Sequence, residues 1–104
     1  MDKPPSPKAE ELTRSLEAAR REPDSMEKVR EISGIALALH KAGRVAISYS
    51  TFAEAMRAAN SLPMHQRQGA LSHVLVAFTR SGMDSECYFS LLRTCGEPLQ
   101  MHAR

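Results

Sequence analysis

Histidine and cysteine are the side chains in this sequence that could bind a metal ion. The chain has four histidines and two cysteines, at the positions His40, His65, His73, His102, Cys87 and Cys95. A zinc site needs three or four such ligands around one point, and ligands on one helical face stand three or four residues apart. None of the histidines has a second histidine, a cysteine or a carboxylate at that spacing. We therefore expect no metal site.

The patterns of common catalytic sites are also missing from the sequence. No serine stands in a G-x-S-x-G elbow, and no cluster of glycines could hold a phosphate group. Eight of the twelve acidic residues lie within residues 1–31, where we expect most carboxylates to be solvated. Acid–base catalysis needs carboxylates whose surroundings shift their pKa values. The sequence therefore predicts a protein that is not an enzyme and has no cofactor.

Five side chains are candidates for contact with another protein. Tyr49 and Tyr88 stand at corresponding places early in two predicted helices, where an aromatic ring at the edge of a concave surface would anchor a partner. The other candidates are Met56, Arg57 and Arg93. The alternative for both tyrosines is a place in the core, with the hydroxyl group in water.

The composition and the spacing of apolar residues predict an all-α fold. Hydrophobic residues make up 42% of the 104 residues, aromatic residues make up only 5%, and tryptophan is absent. A core of small aliphatic side chains favours helices over sheets. Apolar residues recur every three or four positions from Met26 to Gly43, again over residues 45–59, and again from Pro63 to Gly82. The residues expected on the inward faces of the last two segments are Val45, Tyr49, Phe52, Met56 and Ala59, and Ala70, Leu71, Val74, Leu75 and Phe78. A last, shorter helix is expected beyond that second glycine.

Prolines and charge divide the chain into four parts. Residues 1–7 contain three prolines and predict a disordered arm. Residues 8–22 predict a weaker N-terminal helix, whose thin apolar stripe suggests loose docking on the rest. The helical domain is expected over residues 23–97 and a frayed tail over residues 98–104. The sequence DSME at 24–27 is typical of a capping box, with an acidic or hydroxyl cap before a glutamate, and predicts a helix start there.

We interpret the helical domain as a tandem repeat of one helical hairpin. A shift of the chain by 39 residues against itself aligns Gly43 with Gly82. Identical or similar residues then coincide in the pairs Ser33 and Ser72, Ala38 and Ala77, Tyr49 and Tyr88, Leu39 and Phe78, and Lys28 and Arg67. A single hairpin cannot bury its apolar faces, and a second copy supplies the missing core. We predict two tandem antiparallel helical hairpins, in a small α-solenoid-like bundle.

The two copies resemble the αα-hairpin repeats of the tetratricopeptide and pentatricopeptide families. The resemblance spans residues 27–95, through ALHKAGRV with SYSTFAEAM and AFTRSGMD with ECYFSLL. It implies a stack of helical hairpins. The spacing of 39 residues exceeds the roughly 34 of a tetratricopeptide repeat, so we carry over no ligand-binding positions.

The function that this architecture predicts is binding of another protein, as an adaptor, a chaperone-like protein or an effector. An apolar groove between the stacked hairpins would take up a helix or peptide of the partner. Residues 32–104 carry seven basic and four acidic side chains, although the whole chain has a formal charge of only +2. Basic side chains at the rim of the groove would favour an acidic partner.

A DNA-binding regulator is the second hypothesis. The segment ALHKAGRVAISYSTFAEAMRAAN also resembles a helix-turn-helix motif. Its second helix would present side chains to the major groove, namely Ser48, Ser50, Thr51, Arg57 and Asn60. That helix has one arginine and one glutamate, which is little positive charge for contact with phosphates. Protein therefore remains the preferred partner over nucleic acid.

The sequence predicts a cytoplasmic protein without a membrane segment. The N-terminal stretch MDKPPSPKAEELTRS lacks the apolar core of a signal peptide. No apolar run approaches the length that spans a bilayer. Export by a route that needs no cleaved apolar signal stays open, as does the oligomeric state.

Overall fold

The protein is a small all-α bundle, as predicted. The computed structural model describes residues 7–83, 86–87, 89–91 and 93. Its helices are α1 (Pro7–Arg20), α2 (Met26–Lys41), α3 (Val45–Asn60) and α4 (Met64–Ser81), and the described residues from 86 onward are helical as well. Within this part of the chain there is no β-strand. Nearly all of the predicted arm, and the whole predicted tail, lie outside the described residues.

Helix α2 starts where the sequence predicted a capping motif, but the capping residue is Ser25. Its backbone is extended, and its hydroxyl oxygen accepts a hydrogen bond from the amide of Lys28 at 3.1 Å. This bond satisfies one of the amide groups that have no partner within the helix. The carboxylate of Asp24 is instead held by Ser61, whose hydroxyl group donates to it at 2.7 Å. Asp24 therefore joins the start of α2 to the end of α3.

Two glycines in the left-handed conformation follow α2 and α4, as the sequence indicated. Gly43 has φ +86° and Gly82 has φ +81°. After α2, the amide of Gly43 donates to the carbonyl of His40, and the amide of Arg44 donates to the carbonyl of Leu39. This pair of bonds is the Schellman motif, which satisfies carbonyls at the end of a helix. The chain then turns directly into α3.

The core lies between α2, α3 and α4. The side chains of Ile32, Leu39, Phe52, Met56, Val74 and Phe78 are at most 1% exposed. Helix α3 is buried on more than one side, because the hydroxyl-bearing residues Ser48 and Thr51 are also buried. The hydroxyl group of Ser48 donates to the carbonyl of Ala36 at 2.6 Å, which ties α3 to α2.

The predicted hairpin repeat agrees with the burial pattern. Leu39 and its counterpart Phe78 are each 1% exposed, and Phe52 and its counterpart Leu91 are both 0% exposed. Lys28 and Arg67 also behave alike. The side chain of Lys28 donates to the carbonyls of Arg20 and Glu22 after α1, and that of Arg67 donates to the carbonyl of Leu62 after α3. In both copies, therefore, a basic side chain near the start of one helix binds carbonyls at the end of the previous one.

Helices α2 and α4 are in contact where the first turn of α2 meets the second turn of α4. A Cβ atom built on Gly69 of α4 would lie 3.9 Å from the terminal methyl group of Met26 in α2. Helix α1 packs against α2. It places Leu16 and Ala19 in the same core, at 3% and 0% exposure. Its short apolar stripe is therefore enough to join the core.

Candidate functional site

The residues predicted to bind a partner do not form one surface. Met56 is 0% exposed, because it lies on the face of α3 that packs into the core, so a partner cannot contact it in this structure. Tyr49 is partly buried against the core. Arg57 and Arg93 are exposed, and Tyr88 lies outside the described residues. Of the four candidates that the structure describes, the arginines are the most accessible.

Arg57 borders a shallow cleft of about 230 Å³ between the start of α2 and the end of α3. Its lining consists of Asp24, Lys28, Ile32, Glu54, Arg57, Ala58 and Ser61. Within the described part of the chain, no carboxylate forms an ion pair with Arg57. Asp24 and Lys28 bind each other, and Glu54 binds Arg20 of α1. Arg57 is therefore the cation of this cleft that a carboxylate of a partner could bind.

The carboxylates of this cleft are already satisfied. Both oxygens of Glu54 accept from the guanidinium of Arg20, at 2.7 and 2.9 Å, and this bond raises the pKa of Arg20. The hydrogen bond from Ser61 and the contact with Lys28 at 3.1 Å lower the pKa of Asp24. These bonds join α1, α2 and α3 to one another. The cleft is thus a structural contact between helices.

The residues that a helix-turn-helix motif would present to DNA are also separated. Ser48 is 0% exposed and Thr51 is 1% exposed, and the hydroxyl group of each donates to a backbone carbonyl. Neither can contact the edge of a base, as major-groove recognition requires. Ser50 and Arg57 are exposed, and Asn60 is partly exposed. Helix α3 therefore offers few polar side chains to a groove.

A second cleft, of about 250 Å³, lies between α1 and the turn from α2 to α3. It is lined by Ala9, Glu10, Thr13, Leu39, Arg44 and Ile47. The side chain of Ile47 is 47% exposed, and that of the nearby Val45 is 50% exposed. The sequence placed Val45 on the inward face of α3. Because it stands in the first turn, however, it projects beyond the packed part of the helix.

The side of α4 that points away from the bundle is less covered than the corresponding side of α2. Ser33 and Ala36 of α2 are 0% exposed. Their counterparts 39 residues later, Ser72 and Leu75, are exposed and partly exposed, and Val76 is 52% exposed. We call Gln68, Ser72, Leu75, Val76 and Thr79 the outer face of α4. The spacing of these residues places them on one side of the helix.

The outer face of α4 lies within a segment that has no acidic residue. Residues 55–83 contain three arginines, two histidines and no aspartate or glutamate. Arg80 is exposed and Arg67 is partly exposed. The charged side chains of α4 are therefore all basic, although the whole chain is nearly neutral. This face was not predicted, because the spacing of Leu75 is that of a core residue.

No protein-family model matches the chain, and no similar protein was found among curated proteins or solved structures. The function must therefore be argued from the geometry of the protein itself.

Other kinds of site find little support in the described residues. In this part of the chain, no group of three or more histidine, cysteine, aspartate or glutamate side chains lies close enough to hold a metal ion. All buried side-chain nitrogens and oxygens described here have a hydrogen-bond partner. None of the described helices combines the length and the apolar character needed to cross a membrane. The outer face of α4 carries the exposed Val76 and the partly exposed Leu75, and the charged side chains of this helix are all basic.

Proposed function

We propose that the protein is a non-catalytic module that binds another protein by packing a helix of the partner against the outer face of α4. The observation that carries the proposal is the unequal burial of corresponding residues. Val29 of α2 is 0% exposed, whereas its counterpart Gln68 of α4 is exposed. Helix α4 packs on α2, with Gly69 beside Met26, whereas the outer face of α4 is exposed or partly exposed along its length. In a helical-repeat protein, such a side can accept one more helix.

The composition of the outer face is typical of a surface that binds a partner reversibly. Leu75 and Val76 supply apolar area, while Gln68, Ser72 and Thr79 can form hydrogen bonds in water or with a partner. Interfaces between proteins that associate and separate are about as apolar as ordinary protein surface, around an apolar centre. A helix in a groove is a common form of such recognition. The mixed face therefore supports reversible binding of a helix.

The proposed site differs from the groove that the sequence predicted between the hairpins, although basic side chains lie near both. Met56, one of the five residues predicted to contact a partner, is buried. The outer face of α4 instead has Arg80 at one end, and Arg57 lies on a separate surface of α3. The proposed repeat resembles tetratricopeptide hairpins in its stacking of helices, and that resemblance supports a role in protein binding.

Two matched variants test the proposal. Val76→Glu places a charge at the centre of the outer face, and Val45→Glu places the same charge at a valine of nearly equal exposure, 52% against 50%. Tagged full-length variants are used to capture partners from cells, and bound proteins are quantified by mass spectrometry. We expect Val76→Glu to lose partners that the wild type and Val45→Glu retain. Equal capture by all three proteins would contradict the proposal.

Binding of nucleic acid is tested separately. Contacts with phosphates release counterions, so affinity for DNA or RNA would fall steeply as salt increases. Fluorescence anisotropy with labelled duplex DNA and single-stranded RNA, at low and physiological salt, measures this dependence. We expect no submicromolar binding at either salt concentration. Tight binding that salt weakens and Arg57→Glu abolishes would favour the helix-turn-helix alternative.

A further inference from the structure

We infer that the partner helix on the outer face of α4 is amphipathic and carries acidic residues near both of its ends. This inference rests on the proposed function and adds the chemistry of the ligand. It follows from the positions of two arginines relative to the apolar side chains of α4. No aspartate or glutamate in residues 55–83 competes for them.

The first arginine stands at the C-terminal end of the outer face. Arg80 follows Val76 by four residues, so the two side chains lie on the same side of α4. Arg80 is exposed, and no described carboxylate forms an ion pair with it. A guanidinium group binds a carboxylate with two parallel hydrogen bonds. A helix packed on Val76 would therefore gain a charged contact by presenting a carboxylate at this end.

The second arginine stands at the N-terminal end. Arg67, Leu71 and Leu75 follow one another at intervals of four residues, so they form a row along α4. The guanidinium of Arg67 donates to the carbonyl of Leu62 at 3.3 Å through Nε and through one terminal nitrogen, and it is partly exposed. Since a guanidinium has five N–H groups, donors remain for a carboxylate.

The distance between the two arginines sets the length of the partner helix. They are 13 residues apart, which corresponds to about 20 Å along a helix axis. Leu71, Leu75 and Val76 lie between them, and all three are at least partly exposed. Thirteen residues also correspond to a rotation of about 140° around the helix axis, so the two arginines flank the outer face on different sides. A partner helix of about four turns that crosses α4 obliquely would lie in the groove between the row Arg67, Leu71 and Leu75 and the row Ser72, Val76 and Arg80. It would cover the apolar side chains and place its first and last turns near the arginines. Acidic residues are therefore expected in those two turns.

Two synthetic peptides provide the test. Both are fluorescein-labelled helices of about 18 residues, with leucines spaced three and four residues apart. One has glutamates in its first and last turns, and the other has lysines at the same positions. Anisotropy with the full-length protein should give an affinity at least about tenfold higher for the glutamate peptide, a difference of about 1.4 kcal/mol. Equal affinities, or no binding of either peptide, would overturn the inference.

Variants of the protein identify the surface that binds. Arg80→Glu should reduce the affinity for the glutamate peptide by at least about tenfold and raise that for the lysine peptide. Arg57→Glu changes the charge equally, but on α3, and should leave both affinities unchanged. Val76→Glu should reduce the affinity of the protein for both peptides. An equal effect of Arg80→Glu and Arg57→Glu would show that only net charge matters and would contradict the inference.

The outcomes separate this inference from the proposed function. If Val76→Glu loses cellular partners but neither peptide binds, the outer face binds protein and the acidic chemistry is wrong. If the glutamate peptide binds and Val76→Glu does not weaken it, the binding surface itself is wrong. If single-stranded RNA binds with submicromolar affinity and Arg80→Glu abolishes this binding, the ligand of this surface is RNA and not an acidic helix.

Discussion

The rings of Phe52 and Phe78 meet edge to face, with their centroids 5.2 Å apart and their planes at 81°. Phe52 belongs to the first hairpin and Phe78 to the second, and both side chains are at most 1% exposed. Such aromatic pairs contribute about 0.5–1.5 kcal/mol beyond the burial of their area. This contact is therefore a main link between the two copies of the repeat.

Loss of a ring from this contact should strongly destabilise the bundle. We expect Phe78→Ala to reduce the free energy of unfolding by about 3–5 kcal/mol, and Leu39→Ala, at the corresponding position of α2, by about 2–5 kcal/mol. Urea unfolding followed by circular dichroism measures both values. Val76→Ala is the control, because its side chain is 52% exposed and should change stability by less than about 0.5 kcal/mol. Effects below about 1 kcal/mol at both Phe78 and Leu39 would contradict the repeat register.

Two glycines should respond to alanine in opposite directions. Gly34 lies within α2, and a Cβ atom there would meet nothing within 4 Å, so Gly34→Ala should stabilise the protein by about 0.5–1 kcal/mol. Gly43 has the same free space but a φ of +86°, so Gly43→Ala should destabilise it by about 1–2 kcal/mol. Thermal unfolding of the two variants gives the comparison. Stabilisation by both alanines would contradict the left-handed turn after α2.

The contacts of Asp24 should make stability depend on pH. The hydrogen bond from Ser61 and the contact with Lys28 lower the pKa of Asp24 in the folded protein. A lowered pKa stabilises the folded state above the pKa of an unfolded aspartate, about 3.9, and this contribution is lost as the pH falls through the folded pKa.

The measurement for Asp24 compares urea unfolding of the wild type and Asp24→Asn at neutral and at strongly acidic pH. The wild type should be the more stable protein at neutral pH, and the difference should shrink in acid. Glu31→Gln controls for the loss of one negative charge from α2. A difference for Asp24→Asn that stays constant with pH would show that the carboxylate does not contribute in this way.

Removal of α1 should weaken the bundle without abolishing it. A chain that starts at Asp24 keeps the contact of Phe52 with Phe78, but it loses Leu16 from the core and the ion pair between Arg20 and Glu54. We expect cooperative urea unfolding at a lower midpoint than that of the full chain. Circular dichroism measures the transition. A truncated chain without a cooperative transition would show that α1 is essential for the fold, contrary to the sequence-based prediction.

Much of the architecture could be predicted because it depends on local chemistry. Gly43 and Gly82 follow helices in a conformation that favours glycine, and this preference is visible in the sequence. Leu39 and Phe78 follow the three- and four-residue spacing of a buried stripe, and both are buried. Helix type, helix ends and the centre of the core were therefore accessible from the sequence.

The surface of the bundle was harder to predict because it depends on which helices are neighbours. Leu75 was expected in the core by its spacing, yet it is partly exposed, because no described helix covers that side of α4. In the helix-turn-helix alternative, Ser48 and Thr51 would face DNA, yet both are buried, and each hydroxyl group donates to a backbone carbonyl. Apolar periodicity does not count small hydroxyl residues, although they pack well against a neighbouring helix.

The most direct test of the proposed binding surface is site-specific photo-crosslinking in cells. A photoreactive phenylalanine analogue replaces Val76 on the outer face of α4 in one protein and Val45 in another. The two valines are almost equally exposed, at 52% and 50%, so nonspecific crosslinking should be similar at both positions. The account predicts a discrete crosslinked protein at position 76 that is absent at position 45 and that disappears when Leu75→Glu is added. Identical patterns at the two positions, or a discrete product at position 45 alone, would contradict it.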